Sequence, residues 1–106
     1  MREREKRQGA KRSPHWSTVR KAHLTFQPMC QMCGGTQKLQ VHHIRPFHLH
    51  PELELSPDNL ITLCEKRGHD CHFVMGHFHD WSLFNPTVNS DSTTYLEKSS
   101  RARESP

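Results

Sequence analysis

Two cysteine pairs, Cys30-x-x-Cys33 and Cys64-x6-Cys71, enclose the adjacent histidines His42 and His43. Asn59 lies between the pairs, and His72 follows the last cysteine directly. No other feature constrains this chain as strongly. Only 32% of the 106 residues are apolar and 25% are charged, so the hydrophobic core must be small. Chains of this size commonly need a staple. Four cysteines supply one, either as two disulfides or as one four-thiolate zinc site. The opening segment, Met1 to Arg12, has no apolar run, so no signal peptide is read there. No stretch approaches the length of a membrane span. The expected compartment is the cytoplasm, where thiols stay reduced and zinc is favoured over disulfides.

Lys and Arg outnumber Asp and Glu by 15 to 11, and the excess is uneven. Arg7, Lys11, Arg12, Arg20 and Lys21 all fall within the first 21 residues. A basic arm of this kind suits a polyphosphate partner and binds it by charge alone. A solvated, disordered tail is the plainer reading, and the two are compatible.

Residues 1–13 are polar without apolar periodicity and are read as a flexible basic arm. Ser13-Pro14 is a plausible helix entry, and Trp16, Val19 and His23 recur at helical spacing up to Phe26. Gln27-Pro28 ends that helix. Cys30 to Gly35 is a tight metal-binding turn whose glycines permit positive φ, so that backbone amides face the thiolates. Leu39–Ile44 and Asn59–Leu63 read as short strands, joined by a long loop that holds three prolines. Asp70 is placed to cap a helix from about Cys71 through Phe78. Trp16, Phe78, Trp81 and Phe84 are expected in the core. Asn85-Pro86 closes the ordered unit, 14–86, and the polar segment 87–106 is expected to be poorly ordered, with at most a weak helix around Tyr95 to Lys98.

Successive strand residues point to opposite sides, so His42 and His43 are poorly placed to ligate one ion. A division of labour fits better, with one on a metal and the other facing substrate. Histidine suits proton transfer because its pKa lies near neutrality.

The residues Val41-His42-His43-Ile44-Arg45-Pro46, Asp58-Asn59-Leu60-Ile61-Thr62-Leu63-Cys64 and Cys71-His72 resemble the HNH endonuclease family. Trp16, Val19 and Arg20 before the first cysteine pair, and Gly76-His77 with Trp81 after the helix start, resemble its small phage-type members. The resemblance implies a small α+β chain with the ββα-metal (His-Me finger) fold, an N-terminal helix and a structural zinc knuckle pair. It implies His42 as a ligand of a catalytic cation and His43 as the general base that deprotonates water. His72 is the second expected ligand. The family's third ligand comes about one helical turn later, where this chain has Met75 and Gly76. His77 replaces it if the helix widens locally at Gly76; a packing or DNA-facing histidine is the other reading, and His79 is a further candidate. Asn59 ties the long loop to the hairpin and holds His43, or contacts the metal, or is an ordinary turn residue. Arg45 is expected at the scissile phosphate. Cys30, Cys33, Cys64 and Cys71 hold the structural zinc, with His69 as a possible substitute for Cys71.

The function so implied is hydrolysis of DNA phosphodiester bonds, by cutting or nicking, leaving 5′-phosphate ends. The catalytic ion is Mg²⁺, Mn²⁺, Ni²⁺ or Zn²⁺, and the setting is a bacterial or phage-infected cell. DNA is the expected partner and a membrane is not. The absence of a separate DNA-reading domain points to weak sequence specificity or to a protein partner that supplies targeting. Oligomeric state is not specified, since no heptad repeat is present. A non-catalytic zinc-ribbon module that binds nucleic acid is the rival. It explains the cysteines and basic arm but not the register of His42, His43 and His72 with Asn59.

Overall fold

The computed structural model describes residues 12–104. The described chain is a small α+β structure built on one two-stranded antiparallel sheet. Helix α1 spans Trp16–Phe26, strand β1 Leu39–His43 and strand β2 Leu60–Cys64. A π-helical turn follows at His72–Gly76, and helix α2 spans Val88–Glu104. The long β1–β2 loop is organised by two short 3₁₀ turns, Pro51–Leu53 and Pro57–Asn59, each opened by a proline whose fixed φ suits that position.

Every residue of β2 is buried, because α1 covers part of the sheet and the π turn packs against it as well. In register, Leu39 faces Cys64, His42 faces Ile61 and His43 faces Leu60. The end of α1 is fastened to β2 through Gln27. Its side-chain oxygen accepts from the Thr62 amide at 2.7 Å, and its carbonyl accepts from the Thr62 hydroxyl at 2.8 Å. Those bonds satisfy the buried Thr62, which would otherwise cost its desolvation.

The core consists of Cys30, Met32, Ile44, Ile61, Leu63, Cys64, Cys71 and Val88. Three of the four cysteines belong to it, so the staple and the hydrophobic centre are one structure. The expected aromatic core is not present. Trp81 and Phe78 are exposed, at 57% and 48%, while Trp16 and Phe84 are half-buried. The Trp16 and Trp81 rings instead lie against the site histidines described below.

Two other expectations are corrected. The segment after Thr87 is not a poorly ordered tail up to Glu104, because α2 occupies Val88–Glu104. Its sequence is too polar to announce a helix, yet Val88 and Ser92 are fully buried. Asn85 tethers its start: the side-chain oxygen accepts from the Thr87 amide, and the amide group donates to the Met75 carbonyl and to Asp91. Tertiary docking, not propensity, stabilises this helix. Likewise Asp70 does not cap the next element by its side chain; it adopts a left-handed φ of 45° and leads into Cys71. No helix among the described residues is long and apolar enough to cross a membrane.

Candidate functional site

The four cysteines converge. Their sulfur atoms all lie within 4.8 Å of one another, and Cys33 Sγ to Cys64 Sγ is 3.7 Å. All four are free thiols. A disulfide needs about 2.05 Å. A tetrahedral zinc with Zn–S near 2.3 Å sets sulfur atoms about 3.8 Å apart. The cluster therefore has the dimensions of a zinc site and could hold that ion. Glycine makes the first knuckle possible. Gly34 takes φ +79°, its amide donates to the Cys30 carbonyl at 2.8 Å, and the Gly35 amide points at Cys33 Sγ at 3.4 Å. The Cys33 amide points at Cys30 Sγ at 3.5 Å. The Cys30 thiol is lowered to about 4, first by a hydrogen bond from Cys71 and further by backbone amides. The same bond and burial push the Cys71 thiol up. Such crowding of acidic and protonated sulfur is relieved when one dication accepts four thiolates. His69 is exposed and stands outside the cluster.

A second cluster forms from His42, His72 and His77. His42 comes from β1 and the other two from opposite ends of the π turn. In a π turn residues i and i+5 share a face, whereas an α-helix would carry His77 away from His72. The widening expected at Gly76 is thus present. His72 Nε2 lies 3.0 Å from His42 Nδ1 and 3.3 Å from His77 Nε2. The outer nitrogens fix the tautomers. His77 Nδ1 donates to the Leu83 carbonyl at 2.7 Å, and His72 Nδ1 faces the Glu65 carboxylate at 2.9 Å. Carbonyl and carboxylate only accept, so both Nε2 lone pairs aim at the cluster's centre. Outer partners of this kind commonly orient metal-bound histidines. The buried His42 Nε2 has no partner among the described residues, which is consistent with Nδ1 as the working atom. Burial, followed by the neighbouring His72 and His77, lowers His42 to about 3, so it is neutral and able to ligate. The donor set fits a divalent cation. His79 is exposed, packs against Phe73 and lies outside the cluster.

His43 leaves β1 on the other side. Its Nε2–H donates to the Glu54 carbonyl at 3.0 Å, which leaves Nδ1 as the acceptor nitrogen, with Arg12 Nη1 3.4 Å away. Trp16 lies against its ring, with centroids 4.5 Å apart. Burial holds its pKa below the ordinary histidine value; the Glu54 carbonyl opposes that shift and the Arg12 guanidinium adds to it. Asn59 is buried and spans the loop: Oδ1 accepts from the Arg45 amide, and Nδ2 donates to the Arg45 and Leu53 carbonyls. It does not belong to either metal cluster.

One cavity of about 410 Å³ joins these parts. His42, His43, His72 and His77 line it together with Arg12, Phe47, His48 and Trp81. Arg45 is exposed and does not line it, so the residue expected at the phosphate stands outside the cavity. Arg20 and Lys21 also lie outside it, on α1, and Arg7 and Lys11 fall outside the described residues. The arrangement of paired histidine, loop asparagine and histidine after the last cysteine now has a counterpart.

Residues 30–72 match the HNH endonuclease family. The matched segment is about two fifths of the chain and contains both cysteine pairs, His42, His43, Asn59 and His72. No curated protein and no solved structure matches the chain. The HNH assignment suggests a nuclease or another nucleic-acid-related function, and HNH endonucleases act on DNA. The sequence reading missed Glu54. Its carbonyl holds His43, its carboxylate accepts from the Ser13 amide at 3.1 Å, and it is 5% exposed. A lone acid between leucines in a long loop gave a weak signal for burial.

Proposed function

We propose that this chain is a metal-dependent HNH endonuclease that hydrolyses DNA phosphodiester bonds, with His43 as general base. The observation that carries the reading is the tautomer of His43. Its Nε2–H is committed to the Glu54 carbonyl, so the basic lone pair is on Nδ1, which Arg12 Nη1 approaches at 3.4 Å beside a cavity lined by four further histidines. At neutral pH burial keeps the ring uncharged, which is the form a base needs. Nδ1 takes the proton of the attacking water, and the Glu54 carbonyl then stabilises the imidazolium through the strengthened N–H···O bond.

His42, His72 and His77 would hold the catalytic cation through Nδ1, Nε2 and Nε2. When bound, that ion supplies positive charge to the phosphate oxygens and the leaving oxygen. Three imidazole ligands favour Ni²⁺, Zn²⁺ or Mn²⁺ over Mg²⁺. The hairpin and π turn around these histidines support the ββα-metal arrangement. Asn59 fixes the loop whose Glu54 carbonyl holds His43, and so acts as a positioning residue. Zinc at Cys30, Cys33, Cys64 and Cys71 is structural, because a closed four-thiolate site leaves no position for water.

The test is a nicking assay on supercoiled plasmid with added Mn²⁺ or Ni²⁺. Wild type should relax and linearise the plasmid, and His43→Ala should lose about 10²–10⁴-fold in rate. Unimpaired cleavage by His43→Ala overturns His43 as the general base, and no cleavage by wild type favours the non-catalytic zinc-ribbon nucleic-acid-binding module.

A further inference from the structure

Arg12, the last basic residue of the segment read as an arm, packs at the histidine site. Arg12 lines the cavity that His42, His43, His72 and His77 share with His48. Its guanidinium carbon lies 4.5 Å from the Phe47 ring centroid and 5.4 Å from that of Trp16. Its Nη1 lies 3.4 Å from His43 Nδ1 and 3.5 Å from His43 Nε2, so it rests over the ring of the base. Glu54 stands behind it at 4.0 Å, beyond hydrogen-bond length, and the Glu54 carboxylate oxygens already accept from the Ser13 amide. The side chain is 47% exposed. This is a guanidinium held by flat rings, by a long ion pair to Glu54 and by long contacts to the His43 ring. Long contacts to the His43 ring are easily exchanged for an anion.

We propose that Arg12 is the phosphate-binding residue of the reaction centre, contacting the phosphodiester that His43-activated water attacks. The assignment rests on the nuclease reading and replaces Arg45, which lies outside the cavity. The chemistry of the position asks for arginine. A planar fork grips two phosphate oxygens at once, stacks on Phe47 and keeps its charge at every working pH. Glu54 serves both halves of the centre, its carbonyl holding His43 and its carboxylate steering Arg12. Binding of a phosphate would draw the guanidinium from over His43 and leave Nδ1 clear for water. The arm therefore divides. Residues before Arg12 add charge along the backbone, while Arg12 acts on the bond that breaks.

The experiment compares wild type, a deletion of residues 2–11 that keeps Arg12, Arg12→Lys and Arg12→Ala. Each is assayed on DNA at saturating protein and on bis(4-nitrophenyl) phosphate, a phosphodiester too small to touch the arm. The deletion should weaken DNA affinity, with saturating DNA cleavage and hydrolysis of the small ester within about 3-fold of wild type. Arg12→Ala should lose about 10²-fold on both substrates at saturation, in kcat more than in KM, with Arg12→Lys intermediate. Equal rates for Arg12→Ala and wild type on the small ester overturn the proposal. If wild type cleaves neither substrate, the nuclease reading fails, and Arg12 is judged by ion-free DNA binding. There Arg12→Ala should lower the slope of log affinity against log salt by about 0.9, the value for one lost phosphate contact. An unchanged slope overturns the phosphate assignment.

Discussion

His77 Nε2 lies 3.3 Å from His72 Nε2 although five residues separate them, because the backbone between them is a π turn. Gly76 sits at the tightest point of that turn. A Cβ placed there would lie 3.2 Å from His42 Cε1 and Nε2 and 3.3 Å from Leu63 Cδ1. Gly76→Ala should therefore displace His42 from the cluster. The expected cost is about 1–3 kcal/mol of stability, as for overpacking elsewhere. Affinity for Ni²⁺ at the histidine site should fall as well. Thermal melts and calorimetric titration check both, and unchanged Ni²⁺ binding would show that the site tolerates a wider spacing.

Zinc removal should unfold the chain. Three cysteines are core residues, so an ion held by them would stabilise the hydrophobic centre and be stabilised by it. Cys30→Ser should aggregate or melt without cooperativity, and strong chelators should do the same to wild type. Metal analysis of the purified protein should find one tightly held zinc. A folded, zinc-free wild type with full thermal stability would remove the structural role.

The adjacent histidines should fail differently. His43→Ala should keep its affinity for the catalytic ion and lose turnover, whereas His42→Ala and His72→Ala should lose ion affinity first. High Mn²⁺ or Ni²⁺ should partly restore the latter two and leave His43→Ala inactive. Ion titrations of all three variants decide it. Equal loss of ion binding in His43→Ala would mean that the roles of the pair are reversed.

Acid should destabilise the protein through His42 when its site carries no ion. Burial holds His42 near 3, against about 6.5 for an exposed histidine. Between those values the unfolded chain takes up a proton that the folded chain refuses. The stability from this group is complete above about pH 6.5 and is lost as pH falls toward 3. The slope is at most about 1.4 kcal/mol per pH unit. Urea melts between pH 7.5 and 5.5, where the thiolate site should keep its zinc, should show stability falling mainly below about pH 6.5, by about 1.4 kcal/mol in total from this group in wild type and by less in His42→Gln. Parallel curves would assign the acid sensitivity to another group.

Asn59 should tolerate no near-isostere. Its amide donates to two carbonyls and accepts from one backbone amide, all within the loop that presents Glu54 to His43. Asn59→Asp keeps the acceptor and loses both donors. It should cost about 1–3 kcal/mol, the range for leaving buried groups unsatisfied, and it should reduce turnover more than ion affinity. A variant with wild-type melting and wild-type rate would reduce Asn59 to an ordinary turn residue.

The sequence alone determined the parts whose chemistry is local. Four cysteines in a chain poor in apolar residues implied a staple. Alternation along a strand separated His42 from His43, and the Gly34-Gly35 pair announced a knuckle. Both strands were legible to within one residue, because hydrophobic runs and prolines mark them directly. The tertiary structure decided what depends on distant packing. The polar segment after Thr87 forms α2 because Asn85 tethers it and Val88 and Ser92 are buried, and neither fact has a periodic signature. Trp16 and Trp81 border the site instead of filling the core, since sulfur and aliphatic side chains already occupy that volume. Arg45 follows the histidine pair in sequence yet lies outside the cavity, while Arg12, 31 positions before His43, rests on its ring. Neighbours along a chain share a backbone, but a reaction centre is assembled from whatever the fold brings together.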